Sequence, residues 1–144
     1  MRDIHIGSDH AGYELKALLS KSLKDLGFNI LDHGTHSMES CDYPLIAQEL
    51  CKAVEEDQAS GILICGTGIG MSIAANRFKG IRAALCTVEL QARLARRHNN
   101  ANILCLGSRI IGTEMALAIA MAFLESDFEG GRHERRVNEL NKLP

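Results

Sequence analysis

The residues with most chemical reach are Cys65-Gly66-Thr67-Gly68-Ile69-Gly70. Three alternate glycines let a backbone come close to a ligand and turn successive amides toward it. A thiol that opens such a loop, ahead of a helix, is placed to act as a base or a nucleophile. The amides suit an anion or a developing oxyanion. The same run also suits a tight strand-to-helix turn beside an inert buried cysteine, and by itself it leaves both readings open. It is not a nucleotide motif. Met71 stands where a dinucleotide fingerprint needs its third glycine, and no Gly-Lys-Ser/Thr follows.

Other candidates are scattered along the chain. Asp9-His10 offers an acid and an imidazole that suit sugar hydroxyls and a phosphate, although Ser8, Asp9 and Gly12 are also ordinary turn and cap residues. His98-Asn99 offers a proton exchanger near neutral pH, or a helix C-cap. Arg109 sits in a glycine-flanked loop. Arg132 and Arg136 are four apart on a helical pattern, so both can face one phosphate, or simply water. Arg135 reads as solvated surface. His33-x-x-His36 with Cys41 lacks a convincing fourth ligand, so no metal is expected.

Composition narrows the class. The 144 residues are 46% apolar and 24% charged with a formal net charge of −2. That fits one globular domain over 1–144, with no general pull toward nucleic acid or anionic membrane. Five cysteines, with no Cys-x-x-Cys spacing, read as free thiols of a reducing cytosol, Cys51, Cys86 and Cys105 as core. The start, Met-Arg-Asp-Ile-His-Ile, runs straight into a strand pattern and does not read as a signal peptide. The apolar run Met115–Leu124 is too short to span a bilayer.

These residues need elements to position them. Short apolar runs, Ile4–Gly7, Phe28–Asp32, Gly61–Cys65, Ile81–Cys86 and Asn102–Leu106, alternate with helical patterns. The helices are expected over Gly12–Leu26, Pro44–Glu56, Met71–Arg77, Val88–Arg97 and Gly112–Leu124, with a last charged helix from about residue 131. Such βα alternation implies a Rossmann-like three-layer α/β domain: a five-stranded parallel sheet, expected order 2-1-3-4-5, with helices on both faces. Ligands then bind beyond the carboxyl ends of the strands, at Ser8–Gly12, Gly66–Gly70, Thr87–Val88 and Gly107–Gly112.

Taken in order, Gly7-Ser8-Asp9-His10-Ala11-Gly12, Asp42-Tyr43-Pro44, the Cys65 loop, His98-Asn99, Gly107-Ser108-Arg109 and Gly130-Gly131-Arg132-His133 with Arg136 resemble the type B ribose-5-phosphate isomerases. That family is grouped with allose-6-phosphate and galactose-6-phosphate isomerases. The resemblance implies an aldose–ketose isomerase acting on a sugar phosphate, in the pentose phosphate pathway, with no cofactor. It implies Cys65 as the base between C2 and C1, the amides of Gly66, Thr67, Gly68, Ile69 and Gly70 as oxyanion donors, and Thr67 as helping ring opening or holding the substrate. It further implies His98 as the ring-opening acid–base group, and Asn99, Asp9 and Tyr43 as sugar contacts. His10, Arg109, Arg132 and Arg136 clamp the phosphate. The resemblance also implies a homodimer or homotetramer as the working form, with the site between subunits.

Two departures matter. One branch of the family carries a glutamate base just after the third glycine, where this chain has Met71, which leaves Cys65 as the only candidate base of the loop. Many relatives have His-Asn-Asp where this chain has His98-Asn99-Asn100. The rival readings are the same chemistry on a six-carbon sugar phosphate, and a sugar-phosphate sensor without turnover. A nucleotide-binding regulatory domain lacks both phosphate fingerprints.

Overall fold

A computed structural model describes all residues 1–144. Its strands are β1 (Asp3–Ser8), β2 (Asn29–Asp32), β3 (Ser60–Cys65), β4 (Ala83–Leu85) and β5 (Ile103–Gly107). Its helices are α1 (Tyr13–Asp25), α2 (Tyr43–Asp57), α3 (Ile69–Ala75), α4 (Glu89–Asn99), α5 (Thr113–Glu125) and α6 (Arg132–Asn141). A short 3-10 turn, His10–Gly12, leads into α1. All strand pairs are parallel.

The period-two alternation of the strands splits the core in two. Ile4, Ile6, Ile62, Ile64, Leu104 and Leu106 face the layer of α1, α4 and α5. Leu63, Cys65, Ile103 and Cys105 face α2 and α3, against Leu50, Cys51, Val54 and Met71. Both faces of the sheet are thus sealed, as a parallel sheet requires. The side of the sheet on which Cys65 lies is therefore set by its register in β3.

The expected fold class holds, but the sheet order is corrected to β2-β1-β3-β5-β4. The physical reason is visible in burial. β5 is buried at every position, whereas β4 is half-buried throughout its three residues. A strand covered on both faces and both edges belongs inside, and the short, wetter strand takes the edge. Element boundaries shift modestly: α3 starts at Ile69, inside the glycine run, and β4 is shorter than the apolar pattern Ile81–Cys86. No helix is long and apolar enough to cross a membrane.

Candidate active site

Cys65 ends β3 and is 5% exposed. The loop after it doubles back through Gly68, whose φ of +79° is left-handed. A Cβ there would sit 2.5 Å from Leu85 Cδ1 and 2.9 Å from the Leu106 backbone, so only glycine fits. This turn brings the Gly68 N–H onto Cys65 Sγ, 3.2 Å away. The Ile69 N–H donates to Thr67 Oγ1 at 3.2 Å. The N–H groups of Gly66, Thr67 and Gly70 make no hydrogen bond within the chain. The expected row of amide donors is thus thinned: Gly68 serves the sulfur and Ile69 the loop, leaving three donors for a ligand.

The other cysteines are of a different kind. Burial pushes the Cys51 thiol up to about 12 and the Cys86 thiol to about 11. Cys105, wholly enclosed, is pushed well above its ordinary value by burial first and by Cys65 second. These three are core, as the sequence suggests.

The neighbouring loops close around Cys65. The Ser108 N–H donates to Cys65 O and the Arg109 N–H to Gly66 O, both at 2.9 Å, so the loop after β5 runs along the glycine turn. The Ser108 hydroxyl ties in the β1 loop by donating to Ala11 O at 2.8 Å. The Arg109 guanidinium lies over Gly66, with Nη1 3.0 Å from where a Cβ would stand, and it has no carboxylate partner. Asp9 is nearly buried. Its Oδ1 accepts the Gly12 N–H at 3.1 Å, the capping role, and its second oxygen has no partner within the chain. His10 Nδ1 accepts the Cys41 N–H at 3.3 Å. That leaves the proton of the neutral ring on Nε2, free to donate. The Tyr43 ring packs on Gly70, where a Cβ would lie 2.7 Å from Cζ. Cys65, Gly66, Thr67, Gly68, Ile69, Gly70, Asp9, His10, Tyr43 and Arg109 thus gather at the carboxyl end of the sheet.

His98, Asn99, Arg132 and Arg136 do not join them. His98 and Asn99 close α4. Three residues later Asn102 O accepts the Gly61 N–H at 2.9 Å, which places this corner at the start of β3. Cys65 is four residues further along the strand, about 13 Å. Connectivity puts a residue that ends a helix and precedes a strand at the amino end of a parallel sheet, so one chain does not bring His98 and Asn99 to Cys65. Arg132 and Arg136 are exposed on α6, which packs on α4, and neither is paired. Arg135 pairs with Glu139 on the surface.

The structure adds residues that sequence reading missed. The His133 ring stacks on His98, centroids 4.2 Å apart and planes 12° from parallel. Glu129 Oε1 lies 3.5 Å from His98 Nε2 and 3.7 Å from His133 Nε2. Near-parallel rings aim their lone pairs side by side rather than at one point, so the trio is two imidazoles sharing a carboxylate rather than a chelate. The i, i+4 spacing of Glu129 and His133 was the available signal. Burial first, and the His98 ring second, lower the His133 pKa from its ordinary value. Asn100 caps α4 in the left-handed region, and its Oδ1 accepts from Arg96 Nη1 at 2.9 Å, so its amide is committed to α4.

Residues 4–140 match the family model described as Ribose/Galactose Isomerase. Ribose-5-phosphate isomerase B of Escherichia coli is 44% identical over 144 residues, covering 99% of this chain and 97% of that one. The solved ribose 5-phosphate isomerase of Thermotoga maritima is 52% identical, with a TM-score of 0.96 and 99% of each chain covered. The Mycoplasma genitalium ribose-5-phosphate isomerase B, solved with bound ribulose-5-phosphate, is 43% identical with a TM-score of 0.94, covering 97% of this chain and 94% of that one.

Proposed function

Since the chain belongs to the ribose/galactose isomerase family and is an isomerase, we propose that it interconverts D-ribose 5-phosphate and D-ribulose 5-phosphate through a Cys65-borne proton. The observation that carries the mechanism is the Gly68 N–H aimed at Cys65 Sγ, with three unsatisfied amides beside it. In the open-chain aldose, Sγ takes the proton from C2. The C–H electrons form the C1=C2 bond of an enediolate, and the free N–H groups of Gly66, Thr67 and Gly70 hold its oxygen. The proton returns from sulfur to C1 while the O2 proton passes to O1, giving the ketose. No electrons leave the sugar, so the reaction needs no redox partner. His10 Nε2–H and Arg109 receive the phosphate, remote from the reacting carbons, where its binding energy orients the sugar. Asp9 and Tyr43 line the sugar.

The ring-opening group comes from a second copy. His98, Asn99, Arg132 and Arg136 lie too far from Cys65 along the same chain, yet their chemistry completes the site. Meanwhile the carboxyl end of the sheet exposes apolar side chains that a monomer has no reason to keep: Leu45 at 65%, Ile69 at 51%, Ile73 at 60% and Leu90 at 58%. A homodimer, alone or within a homotetramer, covers this rim and brings His98 of the partner subunit to the sugar. Residues 1–144 act as one isomerase domain, and five cysteines with no Cys-x-x-Cys spacing support a cytoplasmic location.

An isomerase assay with chelator present, comparing ribose 5-phosphate with allose 6-phosphate, tests the reading. Faster turnover of the pentose is expected. Preference for the hexose moves the substrate, and tight binding without turnover leaves only a sensor.

A further inference from the structure

One unbroken chain of titratable side chains runs from α2 to β1 and back to α2: Asp57, His5, His33, Glu49. His5 lies on β1 and is 2% exposed. Its Nε2 is 2.9 Å from Asp57 Oδ2 and its Nδ1 is 2.7 Å from His33 Nε2. His33 Nδ1 in turn is 3.2 Å from Glu49 Oε1. Both carboxylates belong to α2, and His33 directly follows β2.

The three contacts set a proton count. Ionised carboxylates only accept, so every bonding hydrogen must sit on a ring nitrogen. Two neutral imidazoles bring two N–H groups, and three bonds need three. We infer that the His5–His33 pair carries one excess proton between Asp57 and Glu49, and that this proton fastens segment 33–42 and α2, the rim of the sugar-phosphate site, to β1. With two ring protons, one contact sets acceptor against acceptor. With four, two N–H groups face each other at 2.7 Å. Burial, opposed by the Asp57 hydrogen bond and reinforced by His33, lowers the His5 pKa. The bonds to Asp57 and Glu49 fix one N–H on His5 Nε2 and one on His33 Nδ1, and the third proton lies in the 2.7 Å contact between His5 Nδ1 and His33 Nε2. The remaining charge acting on His5 is Asp3 of its own strand.

The rim hangs on this clasp. The Ser8 N–H donates to Gly34 O and the Thr35 N–H to Ser8 O, each at 2.6 Å, just before Asp9. Cys41 N–H orients His10, and Tyr43, the first residue of α2, packs on Gly70. The consequence for substrate rests on the isomerase reading; the proton count does not.

Long-range 1H–15N imidazole spectra of the full chain, followed from about pH 6 to pH 9, read the count directly. Near neutrality the expected result is one doubly protonated ring beside one neutral ring, losing the third proton in a single step seen by both. Glu49→Ala removes the bond that needs that proton and leaves two neutral rings. Across the same step the wild-type KM rises about fivefold at unchanged kcat, the worth of one such bond. Glu49→Ala shows the higher KM throughout and no step. Two neutral rings in the wild type at pH 6–7, or a Glu49→Ala spectrum like the wild type, overturns the count. A KM indifferent to the step overturns the clasp. The spectra require no turnover, so failure of the isomerase reading would show separately as absence of activity.

Discussion

The backbone N–H of Gly68 points at the sulfur of Cys65 from 3.2 Å. The contact exists because Gly68 adopts a left-handed turn that no side chain could enter between Leu85 and Leu106. Cys65→Ala should therefore lower kcat by about 10²- to 10⁴-fold, the usual worth of a positioned base. Phosphate-end binding, measured by competition with an unreactive sugar phosphate, should survive. Full activity in Cys65→Ala would remove the thiol from the mechanism.

If each site draws Cys65 from one subunit and His98 from the other, two dead enzymes can rescue each other. Cys65→Ala mixed with His98→Ala, unfolded and refolded together, should recover about a quarter of wild-type activity, because half the dimers are mixed and each has one intact site. No recovery, in a mixture shown by mass to contain mixed dimers, means both residues serve one chain.

Arg132→Ala and Arg136→Ala should each raise KM by about tenfold while kcat changes little, since a lost guanidinium–phosphate contact acts on binding remote from the reacting carbons. The opposite split, kcat lost at constant KM, would place these arginines at the chemistry instead.

The Tyr43 ring and Gly70 are coupled by contact. Gly70→Ala puts a Cβ into that ring and should cost about 1–3 kcal/mol in urea unfolding. In a Tyr43→Ala background the same change should become neutral or stabilising, because alanine is the better helix former. Additive effects would mean that the ring is not what excludes a side chain.

Lys16 is 2% exposed and its Nζ bonds Asp32 Oδ1 at 2.7 Å and Thr35 O at 2.6 Å. Burial pushes the Asp32 carboxyl up, but the Lys16 ammonium and the Gly34 N–H outweigh it, so its pKa falls below the ordinary 3.8. A lowered carboxyl pKa stabilises the fold above the unfolded-state value and is lost as pH falls through the folded one. Acid titration should therefore show stability dropping below about pH 4, with a weaker acid limb in Lys16→Met.

Much of the site was legible because its signals are local. Three alternate glycines after an apolar run mark a strand-to-helix turn wherever they occur, and Asp9-His10 and Arg109 follow strands whose direction is given by βα alternation. His98 ends a helix, so the same reasoning puts it at the other end of the sheet, and its place in a site between subunits rests on the family resemblance rather than on a local signal. His5 and His33 were not legible, since nothing local tells that β1 and the residue after β2 turn their rings together.

The amino-acid sequence by itself determined the βα elements and the glycine loop, and the family resemblance it carries singled out Cys65 as the base candidate, since Met71 stands where one branch has a glutamate. Those properties depend on residue type and short spacing. The tertiary structure alone decided which strand lies at the sheet edge, which loop amides stay free, and which candidates one chain can bring together. Those outcomes depend on pairing and burial among residues far apart in the chain, where a strand's length separates Cys65 from His98.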